Sequence, residues 1–487
     1  MSIKRYVATK DNTITNAYES NLTTRGTGSN MGLADSLEVF SIFGQASSSS
    51  LEATRFLVQF PVSSSDTGTT ILDDRTAGNI PESGSVNFYL RIFNVATDKT
   101  LPRDFTLDVS PVSQSWQEGY GLDMENYSDK TYNGTGSNWI NARAHVPWTN
   151  EGGDFLTASV YSNYNYSQTF VGGGEDLEID ITGLVEQWIL GTGNSGYDNY
   201  GVGVFLTGSQ QNGNRSYYTK MFSARGSEYF FKRPIIEARW NDSRKDQRGS
   251  FYISSSTLSA TDNLNTIYFY NYVRQQLTDL PNIGTGSVYV KVWTELSGGS
   301  QLTTTPSPMP VTGGWVETGI YSASFALETT ESVVYDRWGS GSICYHTGSF
   351  KPKSFNSSNI FETQDYITSI SNLRSEYAKQ DGARLRVYTR RKNWNPTIYT
   401  VAQAGIQNHI IDDVYYKLTR TIDNYEVIPY GTGSIKYTKL SYDVSGSYFD
   451  LDVSLLEIGF EYGLRFAFYV NGAYDEHNHT YKFKVVE

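Results

Sequence analysis

Three stretches near the middle of the chain decide its fold: LEIDITGLVEQW at 177–188, DNYGVGVFL at 198–206 and MFSARGSEYFFKRPIIEARW at 221–240. Leu177, Ile179 and Ile181 alternate with Glu178 and Asp180, the period-two pattern of a strand with one buried face. Thr182 is expected to cap a short helix carrying Leu184, Val185, Trp188 and Ile189, which Gly191 ends. Val202, Val204 and Leu206 share one face of the next strand, and Arg233-Pro234 leads into a last strand ending at Trp240. Working outward, Phe56, Val58, Phe60, Val86, Phe88 and Leu90 offer further one-sided strand faces. Together with Ile179, Ile181, Trp188, Val202 and Val204 they form the expected first core.

The order of motifs over residues 1–241 resembles the DNRLRE family of β-sandwich modules, which occur on extracellular and virion proteins. Asn30-Met31-Gly32 with Leu37-Glu38-Val39 resembles the family's opening strand, and Arg55 to Phe60 its core strand. Trp116-Gln117-Glu118-Gly119, Pro147-Trp148 and Gly152-Gly153-Asp154 resemble its tryptophan-bearing loops. Met31 stands where an aromatic is usual, and the loops around 120–170 are longer than the family's. The resemblance implies a jelly-roll-like sandwich that binds or builds.

Composition agrees with an all-β chain. The 487 residues include 37 Tyr and 24 Phe against 5 Met, and 44 Gly supply turns. Length predicts about three domains. Charged Asn241 to Arg248 reads as a first linker, and Lys351 to Ser358 as a second. Residues 250–350 and 359–487 are then expected to be Ig-like or fibronectin-like sandwiches. In the former, Val288, Val290 and Val292 alternate with Tyr289, Lys291 and Trp293, and Tyr321, Ala323 and Phe325 form a second such face. In the latter, strands are expected at 385–389, 397–401, 413–418, 437–440, 449–453, 464–470 and 481–486. Leu373 and Tyr377, four apart in NLRSEYAKQDG (372–382), predict one helix.

The net charge of −12 argues against nucleic acid as a partner. No apolar run reaches a membrane span, and Met1 to Lys10 lacks a signal peptide's apolar core. One cysteine, Cys344, excludes an internal disulfide and is expected to be buried. Folding in a reducing cytoplasm is the corresponding expectation.

GWVETGIYSASFAL (314–327), VYTRRKNWNPTIY (387–399), YEVIPYGTGS (425–434) and SYDVSGSYFDLDVSLL (441–456) resemble segments of structural proteins of marine contractile-tailed phages, including those infecting cyanobacteria. The turn tetrapeptide Gly-Thr-Gly-Ser recurs at 26–29, 134–137, 284–287 and 431–434. The resemblance implies a virion component of head, neck, tail or baseplate, assembled in the host cytoplasm as a homo-oligomer against other virion proteins.

Catalytic signatures are missing from the sequence, and no enzyme is expected: G-x-S-x-G, H-E-x-x-H and P-loop patterns do not occur. Gly172-Gly173-Gly174 is followed by acidic residues and a strand, which disfavours phosphate. His477 and His479 would share a strand face and offer two metal ligands, with no cluster to complete the set. Asp73-Asp74, Asp123/Glu125, Glu175/Asp176 and Asp412-Asp413 are the carboxylate pairs a glycosidase would need to oppose across a cleft. Turns account for them more simply. No cofactor is expected, although Asn194–Asn199 or the neighbourhood of Asp35 offers oxygen ligands for structural calcium. The basic run Arg386 to Lys392 reads as a solvated strand end. Trp116, Trp139 and Trp148 are candidate stacking platforms for a host surface glycan, the alternative to a purely structural role.

Overall fold

A computed structural model describes residues 2–63, 68–97, 101–122, 135–305, 310–355, 366–392, 398, 408–470 and 472–487. The chain divides into two compact units, Ser2–Asn241 and Asp242–Glu487. Among the described residues no helix is long and apolar enough to cross a membrane.

The strands of the first unit are β1 (Ile3–Val7), β2 (Lys10–Thr15), β3 (Ser36–Phe43), β4 (Leu51–Gln59), β5 (Asn87–Ile92), β6 (Phe105–Pro111), β7 (Asn141–Arg143), β8 (Val146–Pro147), β9 (Tyr166–Phe170), β10 (Leu177–Asp180), β11 (Val202–Leu206), β12 (Tyr217–Ser223) and β13 (Ile235–Arg239). They form a four-stranded sheet, β1-β13-β5-β10, and a seven-stranded one, β12-β3-β4-β11-β6-β9 with β2 on β4; β7 and β8 pair apart. Alternation sends Phe88, Leu90 and Ile92 of β5 to the same interior as Phe56 and Val58 of β4 and Val202, Val204 and Leu206 of β11. The eleven residues expected to form this core all do so, Ile179 being half-buried against it.

The helices α1 (Ile71–Thr76), α2 (Thr182–Leu190) and α3 (Gly208–Gln211) are short. α2 carries Leu184, Val185 and Trp188 into the core, and Gly191 ends it at a positive φ of 65°. Its cap differs from expectation. Ile181 holds the N-cap position without a side-chain bond. The Thr182 hydroxyl instead donates to Asp180 and accepts from the Phe88 amide, tying the helix to β5.

The second unit opens with β14 (Asn265–Tyr270), β15 (Tyr272–Val273), β16 (Gln276–Leu277), β17 (Val288–Glu295), β18 (Gly298–Gln301), β19 (Thr304–Thr305), β20 (Val311–Glu317), β21 (Ile320–Leu327), β22 (Val334–Ser340) and β23 (Ile343–Phe350). Their main sheet runs β14-β21-β20-β17-β22-β23. β20 changes partner along its length: Val311–Gly313 pair with β17, and Gly314–Glu317 with β21. That switch lets Val288, Val290 and Val292 of β17 meet Tyr321, Ala323 and Phe325 of β21 in one core around Trp338.

The remaining strands are β24 (Tyr366–Ile370), β25 (Glu376–Ala378), β26 (Gly382–Arg391), β27 (Val414–Arg420), β28 (Tyr425–Ile428), β29 (Ser441–Asp443), β30 (Gly446–Asp452), β31 (Glu461–Val470), β32 (Ala473–Glu476) and β33 (Tyr481–Val486). They build the sheets β24-β26-β30-β29 and β25-β33-β31-β27-β28, with β32 on β31. Two expectations fail here. The segment 372–382 is not helical: Tyr377 lies in β25, parallel to β33 and opposite Val485. A strand pairing outweighed one i,i+4 spacing. Residues 437–440 form a turn with a single bridge, Lys439 to Tyr415, instead of a strand. The expected strand 397–401 falls outside the described residues save Ile398, and the linker Lys351–Ser358 does so from 356.

The segment expected to be a linker, 241–248, is from Asp242 onward a strap within the second unit. Asp246 N donates to Tyr442 O, and Tyr442 N to Arg244 O. At its far end Arg248 makes a bidentate pair with buried Asp336, at 2.6 and 2.8 Å, and Trp338 Nε1 donates to the same carboxylate at 2.7 Å. A Cβ on Gly348 would lie 2.6 Å from the Arg248 guanidinium, so only glycine fits beside this pair. The strap ties the two expected sandwiches, 250–350 and 359–487, into one compact unit. The chain is all-β, built of tandem sandwiches.

Candidate functional site

β4 is buried on both faces. Leu57 points away from the main core into a second one, shared with Ile14, Ala53, Val112, Ala142, Trp116, Trp139 and Trp148. The loops after β6 fold back over the outer face of the sheet to make it. The three tryptophans are therefore brought together as the sequence suggested, but they are only 4, 5 and 5% exposed. Trp116 Nε1 donates to Tyr200 O and Trp148 Nε1 to Asn138 O, both at 2.8 Å. Arg55 lies over the rings of Trp139, Phe205 and Phe155 at 5.1, 5.2 and 5.8 Å, and burial draws its pKa down to about 10. Gly152 leaves room for Trp139, its missing Cβ lying 2.8 Å from that ring. No ring face stands open for a sugar, which corrects the stacking expectation. Rings with one polar handle are satisfied here as core.

The charged groups singled out for chemistry hold the fold together. Asp73 completes a capping box with Thr70. Asp74 accepts from Tyr6 Oη and Lys4 Nζ, each at 2.7 Å. Asp413 pairs with Lys439. Glu175 accepts from the amides of Val171 and Gly172, and Asp176 from that of Asn94. The pair Asp123/Glu125 lies outside the described residues. The glycine triplet cradles a cation: buried Lys220 donates to Gly173 O, Glu175 O and Asn94 Oδ1 at 2.6–2.8 Å. Burial lowers this ammonium to about 8.

The outer side of β13 carries a network that the sequence did not reveal. Fully buried Glu237 receives Arg5 Nε and Arg239 Nε at 2.7 Å and Arg91 Nη1 at 3.2 Å. Burial alone would raise this carboxyl; the three guanidiniums outweigh it and hold it at about 2. β-pairing sets the arrangement, with Arg5 opposite Glu237 and Arg91 opposite Ile235.

Other candidates disperse. His477 and His479 follow β32, and the His477 Nδ1 accepts from the His479 amide at 3.3 Å, so the pair does not present two ligands on a strand face. Among the described residues no group of three His, Cys, Asp or Glu gathers as for a metal. In the Asn194–Asn199 loop Asp198 accepts from Tyr200 Oη, and Asn199 bonds Phe60 O and the Gly201 amide. Cys344 is exposed. Its apolar neighbours suggested core, but β23 is a sheet edge whose register shifts at Gly339. In the basic run Arg386 is neutralised by Asp443 at 2.9 and 3.0 Å.

The surface best suited to recognition is the outer face of β17 and β22. Val288, Val290 and Val292 are buried, so Tyr289, Lys291 and Trp293 must point outward. Cross-strand register sets Trp293 opposite Tyr335 and Lys291 opposite Arg337. Facing like charges are unfavourable. Arg337 turns over the Trp293 ring at 5.4 Å and donates to Leu296 O. Trp293 Nε1 and Arg337 Nε are covered from solvent and have no hydrogen-bond partner among the described residues. The alternation was legible in the sequence; its concentration of Tyr, Trp and Arg on one flat face needed the β22 register.

No family model matches the chain, and no curated protein matches it. Among solved structures it is similar to a chimeric titin Z1Z2 tandem, with 10% identity over 41% of this chain and 85% of that one and a TM-score of 0.15. It is similar to the Yersinia pseudotuberculosis adhesin InvE, with 13% identity over 47% and 61% and a TM-score of 0.15. Native E. coli alpha-2-macroglobulin shares 8% identity over 88% of this chain and 21% of that one, with a TM-score of 0.16. Similarities of this size identify neither a family nor an activity. What the fold itself defines is an all-β, multi-sandwich protein.

Proposed function

We propose that the protein is a non-enzymatic structural component of a bacteriophage virion that works through protein–protein interfaces. The segment resemblances at 1–241 and over the last third of the chain supply the virion context. The observation that carries the interface role is the Tyr289–Lys291–Trp293–Tyr335–Arg337 face, because Tyr, Trp and Arg dominate binding hot spots. Asp73, Asp74, Glu175, Asp176 and Asp413 are engaged in a cap, ion pairs and backbone hydrogen bonds, which supports a structural role for them. Its partners are other virion proteins and copies of itself, assembled in the host cytoplasm. Assembly stabilises a disulfide-free chain, since a partner that binds only the folded form shifts the equilibrium.

Peptides of the protein should be stoichiometric in purified, nuclease-treated virions. A Tyr289→Asp, Lys291→Glu variant should fold with an unchanged thermal midpoint and enter particles about tenfold less well, as expected for loss of an interface hot spot. Absence from particles removes the virion reading, and normal incorporation of the variant removes this face from it. Sugar release from host capsule or lipopolysaccharide by the pure protein would replace the reading with an enzymatic one.

A further inference from the structure

A strand at the rim of a sheet leaves one row of backbone N–H and C=O groups without a neighbour. Folded proteins blunt such rims with a covering segment, with charge or with proline. This chain covers several of its own. Along β12, Ser223 N donates to Phe93 O and Val95 N to Met221 O. Along β29, Tyr442 N donates to Arg244 O and Asp246 N to Tyr442 O. Along β14, the Thr266 amide donates to Gln247 Oε1 and Arg248 Nη2 to Tyr268 O. In the last two cases the strap after residue 241 is the cover.

β23 is built differently. It ends the sheet β14-β21-β20-β17-β22-β23, and among the described residues its ladder is with β22 alone. The one further bond to its backbone there is a long one from its own Cys344 Sγ to His346 O, at 3.5 Å. Its exposure is that of an open rim: Ile343 is 53% exposed, and Cys344, His346 and Ser349 are exposed with it. The sequence ICYHTGSF (343–350) holds no Asp, Glu, Lys, Arg or Pro, the residues that blunt a rim. Beyond Phe350 the chain engages another segment: Lys353 N donates to Phe251 O, and Ile253 N to Lys353 O.

We propose that β23 pairs edge to edge, antiparallel, with β23 of a second copy of this chain. Charge selects that occupant. The chain carries a net −12, so two copies repel over most of their surfaces, and like charges placed opposite each other across a strand pair are unfavourable. An uncharged strand lets two copies approach without that penalty. Antiparallel self-pairing closes about a two-fold axis, so one strand supplies both halves of the contact. Main-chain hydrogen bonds then provide the affinity, as in strand addition generally. The axis stands perpendicular to the sheet and keeps each face on its own side. Pairing therefore joins the two Tyr289–Lys291–Trp293–Tyr335–Arg337 faces into one continuous surface. The pairing does not rest on the virion reading and is testable on the pure protein.

Sedimentation equilibrium of the full-length protein measures the association. It should show monomer and dimer with a Kd of about 100 µM or tighter, as for a small transient contact. Hydrogen exchange locates it: the amides of Ile343–Phe350 should exchange more slowly above the Kd than well below it. Cys344→Lys should weaken the dimer about tenfold or more, because the two-fold duplicates the added charge on a shared edge. The thermal midpoint of the monomer should stay put, since Cys344 is exposed. If that variant unfolds, Ser349→Lys replaces it with the same expectation, its side chain being exposed as well. A monomer at every concentration overturns the proposal, whether the edge is then taken by a segment of its own chain or by a different protein. So does a dimer that leaves the Ile343–Phe350 amides unprotected, or one that the lysine does not weaken, because either places the contact elsewhere.

Discussion

Glu237 offers the sharpest test of how this fold stores electrostatic energy. Its carboxyl is fully buried and meets three arginines whose side chains are 10, 13 and 15% exposed. In the folded protein it titrates at about 2 against an ordinary 4.5. A carboxyl depressed on folding stabilises the native state above its unfolded value and loses that contribution as pH falls through the folded one. The gap between 4.5 and about 2 corresponds to about 3 kcal/mol, all present at neutral pH and lost between roughly pH 4.5 and pH 2. Glu237→Gln keeps the shape and removes the charge, leaving three guanidiniums without their shared anion. It should cost about 3–5 kcal/mol at neutral pH, the usual result of removing one partner of a buried pair. Urea unfolding of both proteins, followed by far-ultraviolet circular dichroism at a series of pH values, measures the difference. The two stability curves should lie far apart near pH 7 and converge as the pH approaches 2. Parallel curves across that range would show that the arginines do not hold the charge on Glu237, and the reasoning would fail.

Lys220 gives the same slope in another window, but here the charged form is the one the fold disfavours. Burial lowers its ammonium to about 8 from 10.5, so the unfolded chain binds more protons between those values and stability should rise with pH there. Relative to Lys220→Met, the wild type should gain stability on passing from pH 8 to pH 10.5; a flat difference would count against the buried ammonium. Arg248→Met should cost about 3–5 kcal/mol by stranding Asp336, and adding Asp336→Leu should recover most of it. Guanidinium unfolding monitored by tryptophan fluorescence reads this directly, because Trp338 donates to that carboxylate; additive losses in the double variant would contradict the pairing.

The parts of the fold legible in the sequence are those carried by local periodicity. Val288, Val290 and Val292 alternate strictly, and they are buried as the pattern requires. Gly191 ended α2 because a positive φ suits glycine. Misreadings arose where a distant partner decided the outcome. Tyr377 reads as helical until Val485 pairs beside it. Cys344 reads as core until β23 proves to be an edge. The tryptophan loops were recognised as a set, but only the fold-back over Leu57 shows that their rings face inward. The charged networks were invisible for the same reason: Arg5 and Glu237 stand 232 residues apart, and no spacing rule spans that distance.

The strap after residue 241 has a kinetic consequence. Arg244 N bonds Ser441 Oγ, 197 residues later. At about 5–20 residues per second, a ribosome needs roughly 10–40 s to deliver that partner. Arg248 waits for Asp336 across 88 residues. The first seven residues of the second unit, Asp242 to Arg248, thus add contacts of long sequence separation, and loop closure over such a span is slow. In the nascent chain the strap stays open while β14 to β28 are already made, leaving the tyrosines of β14 without their final neighbours. Closure of the strap can occur only once β29 has been synthesised.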